Sequence, residues 1–107
     1  MSDLELRLKE AEAKLTAAQI LATARRSDFV VAQRAYFAAA EDPTQDDDLE
    51  ELKEDRITAA LDYAEAADAL ATALEARDDL QLDAYGAWIE QQREGQEAAL
   101  DQAERSF

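Results

Sequence analysis

The side chains available for chemistry in this chain are carboxylates. Aspartate and glutamate supply 26 of its 107 residues, against 11 lysines and arginines, and there is no histidine and no cysteine. Carboxylates alone can do three things: ligate a hard cation, form an acid–base pair, or present an array of negative charge. The cluster Asp46, Asp47, Asp48, Glu50, Glu51 raises the first. An EF-hand loop, however, alternates its ligands around a mid-loop glycine and closes on a terminal glutamate. This run has neither the alternation nor the glycine, so only weak, nonspecific divalent binding is expected and no metal site is assigned. A helical di-iron centre needs Glu-x-x-His, which the absence of histidine rules out. An acid–base pair needs a concave apolar pocket to move one carboxyl away from its usual pKa. There is no nucleophile elbow and no glycine-rich phosphate loop. The expectation is a protein that is not an enzyme and uses no cofactor.

The third possibility fits the spacing. Asp62, Glu65, Asp68, Glu75, Asp79, Asp83, Glu90, Glu94, Glu97, Asp101 and Glu104 follow steps of three and four, broken at Thr72 and Gly86. Such steps lie on one helix face. They predict an acidic stripe about 60 Å long at 1.5 Å per residue. Neighbouring carboxylates would stand about 5–6 Å apart, a pitch broadly like that of phosphates along one nucleic-acid strand. An ordinary solvent face interleaves lysine with glutamate, because i,i+4 opposite charges attract and like charges repel. Here few partners are interleaved; Arg105 with Asp101 is one.

A stripe needs a long helix, and the composition supplies one. Two glycines and one proline in 107 residues, with 35% charged, favour helix over sheet. Ser2 with Glu5 reads as a capping box. From there Leu4, Leu8, Ala11, Leu15, Ala18, Ala22, Arg25, Phe29, Ala32, Tyr36 and Ala39 make a heptad seam that only Arg25 interrupts. Helix 1 is expected over about 3–41. Asp42-Pro43 ends it, since a residue before proline leaves the α region. The acidic turn is placed at 42–48, with Thr44 or Asp46 as the next cap. Helix 2 is expected over about 48–105. Its seam runs through Leu49, Leu52, Ala59, Tyr63, Ala66, Leu70, Ala73, Arg77, Leu80 and Ala84. A kink at Gly86 is the open question.

A short connection between long helices means an antiparallel hairpin. Folding about residue 45 puts Phe29 near Ala60, Leu15 near Leu74 and Leu4 near Tyr85. Phe29, Tyr36 and Tyr63 then belong to the core. Residues 87–107 project roughly 30 Å past helix 1, and Trp88, Ile89, Leu100 and Phe107 are left without an intrachain partner. Either the chain folds back at Gly86 or this segment pairs with a second copy. The lack of turn residues beside Gly86 favours the second. Tyr85, Trp88, Ile89, Leu100 and Phe107 are therefore the candidate oligomer or docking residues.

The formal charge of −15 disfavours direct contact with nucleic acid or anionic membrane and favours a basic partner. Residues 1–40 are near +1, while 41–55 and 56–107 each carry about −8. No apolar run is long enough for a membrane span. The start MSDLELRLKE has no signal-peptide layout, so a cytoplasmic location is expected, the host cytoplasm if the chain is phage-encoded.

Size, charge and helical build resemble those of small acidic DNA-mimic proteins, many of them phage inhibitors of nucleic-acid-processing systems. The resemblance is physical, with no shared motif. Asp46, Asp47, Asp48 and Glu51, at the turn, could look like the acidic coiled-coil tip of Gre-type transcription factors. The globular domain that anchors those factors has no counterpart here. The WXG100 hairpins are similar in length, but their Trp-x-Gly sits at the turn, far from the position of Trp88.

The reading is an all-α protein of one domain, 1–107. It is a long antiparallel helical hairpin, a coiled coil, with a C-terminal helical extension that dimerises. Its expected work is binding a basic protein or ribonucleoprotein complex through the acidic stripe, as a nucleic-acid mimic. The alternative is a structural or assembly coiled-coil subunit or adaptor that binds through its apolar C-terminal segment.

Overall fold

The computed structural model describes residues 2–42, Thr44 and 46–106, the side chains of Asp46 and Asp47 excepted. It holds two α-helices, α1 (Asp3–Glu41) and α2 (Asp46–Arg105). Together they form a rod of 94 × 22 × 13 Å. Sixty residues at about 1.5 Å each make roughly 90 Å, so α2 alone spans the long axis. It runs without interruption through Gly86 and Gly95 and does not fold back.

The ends of α1 follow local chemistry. Ser2 is the N-cap with extended dihedrals, and its hydroxyl accepts from the Glu5 N–H at 3.1 Å. Asp42, before the proline, is extended at φ −104°, ψ 107°, and its N–H donates to the Ala39 carbonyl. Its carboxylate then accepts from Thr44 twice, from the N–H at 3.0 Å and from the hydroxyl at 2.7 Å. The expected cap of α2 is Thr44 or Asp46; here the Thr44 hydroxyl serves Asp42 instead, and Asp46 is already helical. α2 begins at Asp46, two residues earlier than the spacing suggested.

The helices meet along the heptad seam. Among the described residues the buried ones are Ala11, Leu15, Ala22, Ala39 and Ala66, and four of the five are alanine. Small seam residues let two backbones approach closely. The register lies within a turn of the expected one. Phe29 meets Tyr63 with ring centroids 6.3 Å apart. Leu4 and Leu8 share a groove with Ala84, Ala87 and Trp88. Two expectations need correction. Phe29, Tyr36 and Tyr63 are half-buried rather than core, because a two-helix seam covers only one side of a ring. Trp88 is not without an intrachain neighbour, because the first turn of α1 reaches it.

Neither glycine in α2 is needed for space. A Cβ at Gly86 or Gly95 would meet nothing within 4 Å, and neither has positive φ. Alanine is favoured over glycine in a helix interior by about 1 kcal/mol. Gly86→Ala and Gly95→Ala are therefore each expected to stiffen the end of α2. Amide hydrogen exchange of residues 86–105 should slow several-fold in each.

Candidate functional site: the acidic face of α2

The eleven carboxylates of the stripe, Asp62, Glu65, Asp68, Glu75, Asp79, Asp83, Glu90, Glu94, Glu97, Asp101 and Glu104, are all exposed and all on α2. The helix brings them to one side by its periodicity. Among the described residues Asp101 is the one stripe carboxylate in an ion pair, 3.2 Å from Arg105. The other two ion pairs, Arg25–Asp28 and Arg77–Asp78, lie outside the stripe.

The charge is divided unequally between the helices. α2 carries nineteen acids and five bases, whereas α1 carries six of each. The pairing of the helices gives this a consequence that spacing alone could not show. A groove of about 540 Å³ runs beside the seam, lined by Arg7, Glu10, Lys14 and the alanines 11, 69, 73 and 76. Thr72, where the stripe is broken, lies in that groove. Farther along the same side Leu21 and Arg25 line a groove with Asp62 and Glu65. The bases of α1 thus border the middle of the acidic face. Beyond Trp88, which lies beside the first turn of α1, no α1 base accompanies it. Glu90, Glu94, Glu97, Asp101 and Glu104 stand on a projecting rod with Arg93 and Arg105 as the bases.

The turn behaves differently. Asp42 has its carboxyl held below the usual aspartate range by the Thr44 hydroxyl and then by the Thr44 N–H. Its contribution to the turn is therefore present above the unfolded pKa and is lost as pH falls through the lowered folded value. Asp48 and Glu51, assigned to the acidic tip, are exposed in the first turns of α2, where the helix dipole favours them. Asp46 and Asp47 open the same helix, and their side chains lie outside the described residues.

The apolar candidates sit at the other end. Tyr85 stacks on Trp88 at 6.1 Å and 16°. Both are exposed, as are Ile89 and Leu100. Phe107 lies outside the described residues. One residue the seam reading passed over is Arg56. Its guanidinium lies 5.1 Å from the Tyr36 ring centroid and 5.0 Å from that of Phe37, a double cation–π contact. Its step of four from Leu52 and three to Ala59 was the available signal.

Unpaired like charges at helical spacing repel, and salt screens them. The Debye length falls from about 10 Å at 0.1 M to about 3 Å at 1 M. The thermal midpoint of the isolated chain is expected to rise by several degrees over that range, read by circular dichroism. A fall would mean that attraction, not repulsion, governs the surface. Among the described residues, no helix is long and apolar enough to cross a membrane. Nor do three or more aspartates or glutamates converge to hold a metal ion. No protein-family model matches the chain, and neither a curated protein nor a solved structure matches it.

Proposed function

We propose that this chain is a non-enzymatic binding protein whose partner meets the acidic face of α2. The observation that carries the proposal is the projecting end of α2. It extends the acidic face beyond the N-terminal end of α1 and its bases, on an uninterrupted helix. A rod of this kind suits a channel built for a nucleic-acid backbone. The partner is then a basic nucleic-acid-binding protein or ribonucleoprotein complex, met in the cytoplasm, the host's if the chain is phage-encoded. Inhibition would come from occupying the channel, with no covalent step. Complementary charge makes such association fast and salt-sensitive. The test is capture from a lysate at low salt, followed by a salt gradient. A nucleic-acid-binding protein released at moderate salt supports the proposal. A partner that stays bound through the gradient argues against it.

A second reading is favoured by the exposure of Tyr85, Trp88, Ile89 and Leu100 on the same projecting segment. In that reading the chain is an assembly or adaptor coiled coil that docks through apolar contact. Trp88→Ala would then weaken capture more than loss of the carboxylates does.

A further inference from the structure

We infer that a second copy of this chain covers the outer side of α1, the side turned away from α2, by antiparallel pairing of one α1 with the other. The two outer edges of the hairpin are unlike. Two positions past its seam residues α2 carries Glu65, Asp68, Glu75 and Asp79, part of the acidic face. The same offset on α1 gives a stripe in steps of four and three from Leu6 to Ala38. Between those two residues Glu10 and Arg34 are its charged members, and the rest are apolar but for Ser27. Every residue of the stripe is exposed in the lone hairpin, Ile20 at 67% and Val31 at 64%. An apolar stripe at heptad spacing is the surface that a coiled-coil partner covers.

The stripe is complementary to itself. Laid antiparallel with Ile20 against Ala24 of the copy, it puts Leu6 against Ala38 and Val31 against Ala13, so each large side chain falls opposite an alanine. The same register sets Glu10 against Arg34 and, beside the stripe, Lys14 near Asp28. Each match recurs about one two-fold axis. Asp3 against Glu41, at the two ends, is the like-charged match along the line. Net charge favours the same arrangement. α1 has six acids and six bases, so the helices that meet are neutral as wholes. The two acidic α2 helices take the outside of a row of four. Three interaxial steps of 8–10 Å hold their axes roughly 25–30 Å apart, about three Debye lengths at physiological salt.

The test uses the full chain without any partner, so the acidic-face proposal stands or falls separately. Light scattering should give twice the 11.9 kDa chain mass at micromolar concentration. Ile20→Glu should return a monomer of unchanged helicity, because Ile20 is exposed in the lone hairpin. Leu82→Glu, at a leucine of α2 that is 68% exposed, should leave the dimer intact. Glu10→Arg should raise the dimer dissociation constant about tenfold, and Arg34→Glu added to it should restore the original value. Residues 10 and 34 stand roughly 36 Å apart along one α1, so restoration reports pairing between copies. A monomeric mass for the unchanged chain, a dimer that survives Ile20→Glu, or one that Leu82→Glu dissociates would overturn the inference. So would a Glu10→Arg change without effect, or a loss that Arg34→Glu fails to restore.

Discussion

Reversing four carboxylates, Asp79→Lys, Asp83→Lys, Glu90→Lys and Glu94→Lys, is expected to abolish capture of the basic partner and leave helicity unchanged. Each reversal moves the charge by two, so the chain goes from −15 to −7. All four residues are exposed, and none forms an ion pair among those described. Removing them therefore costs the hairpin no intrachain pair. The i,i+4 pairs at 79 and 83 and at 90 and 94 stay like-charged after reversal, so their repulsion, worth a few tenths of a kcal/mol each, is unchanged. In a charged interface the effect of reversal is far larger. Close complementary pairs couple by about 1.5 kcal/mol or more. Four of them lost, with repulsion put in their place, predicts a loss of at least 100-fold in affinity. Circular dichroism at the same concentration separates lost binding from lost fold. Unimpaired capture would make the stripe a solvated face and nothing more.

Leu15→Ala is expected to be the most damaging conservative truncation within the seam. Leu15 is 5% exposed and, among the described residues, is the one buried side chain larger than alanine. Truncating a buried leucine costs about 2–5 kcal/mol, depending on how far the site collapses. A two-helix rod can close up, which puts the expectation near the lower end, about 2–3 kcal/mol. For a domain of this size that is a fall of roughly 10 °C in thermal midpoint. Leu61→Ala is the matched control, because Leu61 is 66% exposed on α2. Its cost should stay within about 0.5 kcal/mol. Equal effects from the two would mean that the hairpin seam is not what holds the chain together.

Much of this architecture was legible before any coordinates. The three–four alternation from Leu4 to Ala39 and from Leu49 to Ala84 picks out residues that, Arg25 apart, are buried or half-buried, because coiled-coil packing is set by periodicity. Pro43 located the turn, and the lengths on either side fixed the register to within one helical turn. Arg56 was passed over. Its spacing put it on the seam, but what a guanidinium does there shows only once the Tyr36 and Phe37 rings are placed beside it. Thr44 was only one of two candidate caps, with Asp46, because a hydroxyl after proline can serve either the helix ahead or the aspartate behind, and it serves the aspartate. The carboxylate face was visible as spacing. Its division into a middle bordered by Arg7, Lys14 and Arg25 and a bare projecting end depends on helix pairing, so the sequence alone could not show it. The chemistry of the partner enters only through charge, since neither helix carries a recognition motif.

The central claim, that the acidic face takes the place of nucleic acid, is tested most directly by competition. The captured nucleic-acid-binding protein would be loaded with labelled duplex and titrated with the chain while anisotropy is followed. The account predicts that the chain displaces the duplex completely, that excess duplex displaces the chain, and that no ternary complex forms. A stable complex of all three components would show that the two bind different surfaces, and would contradict it.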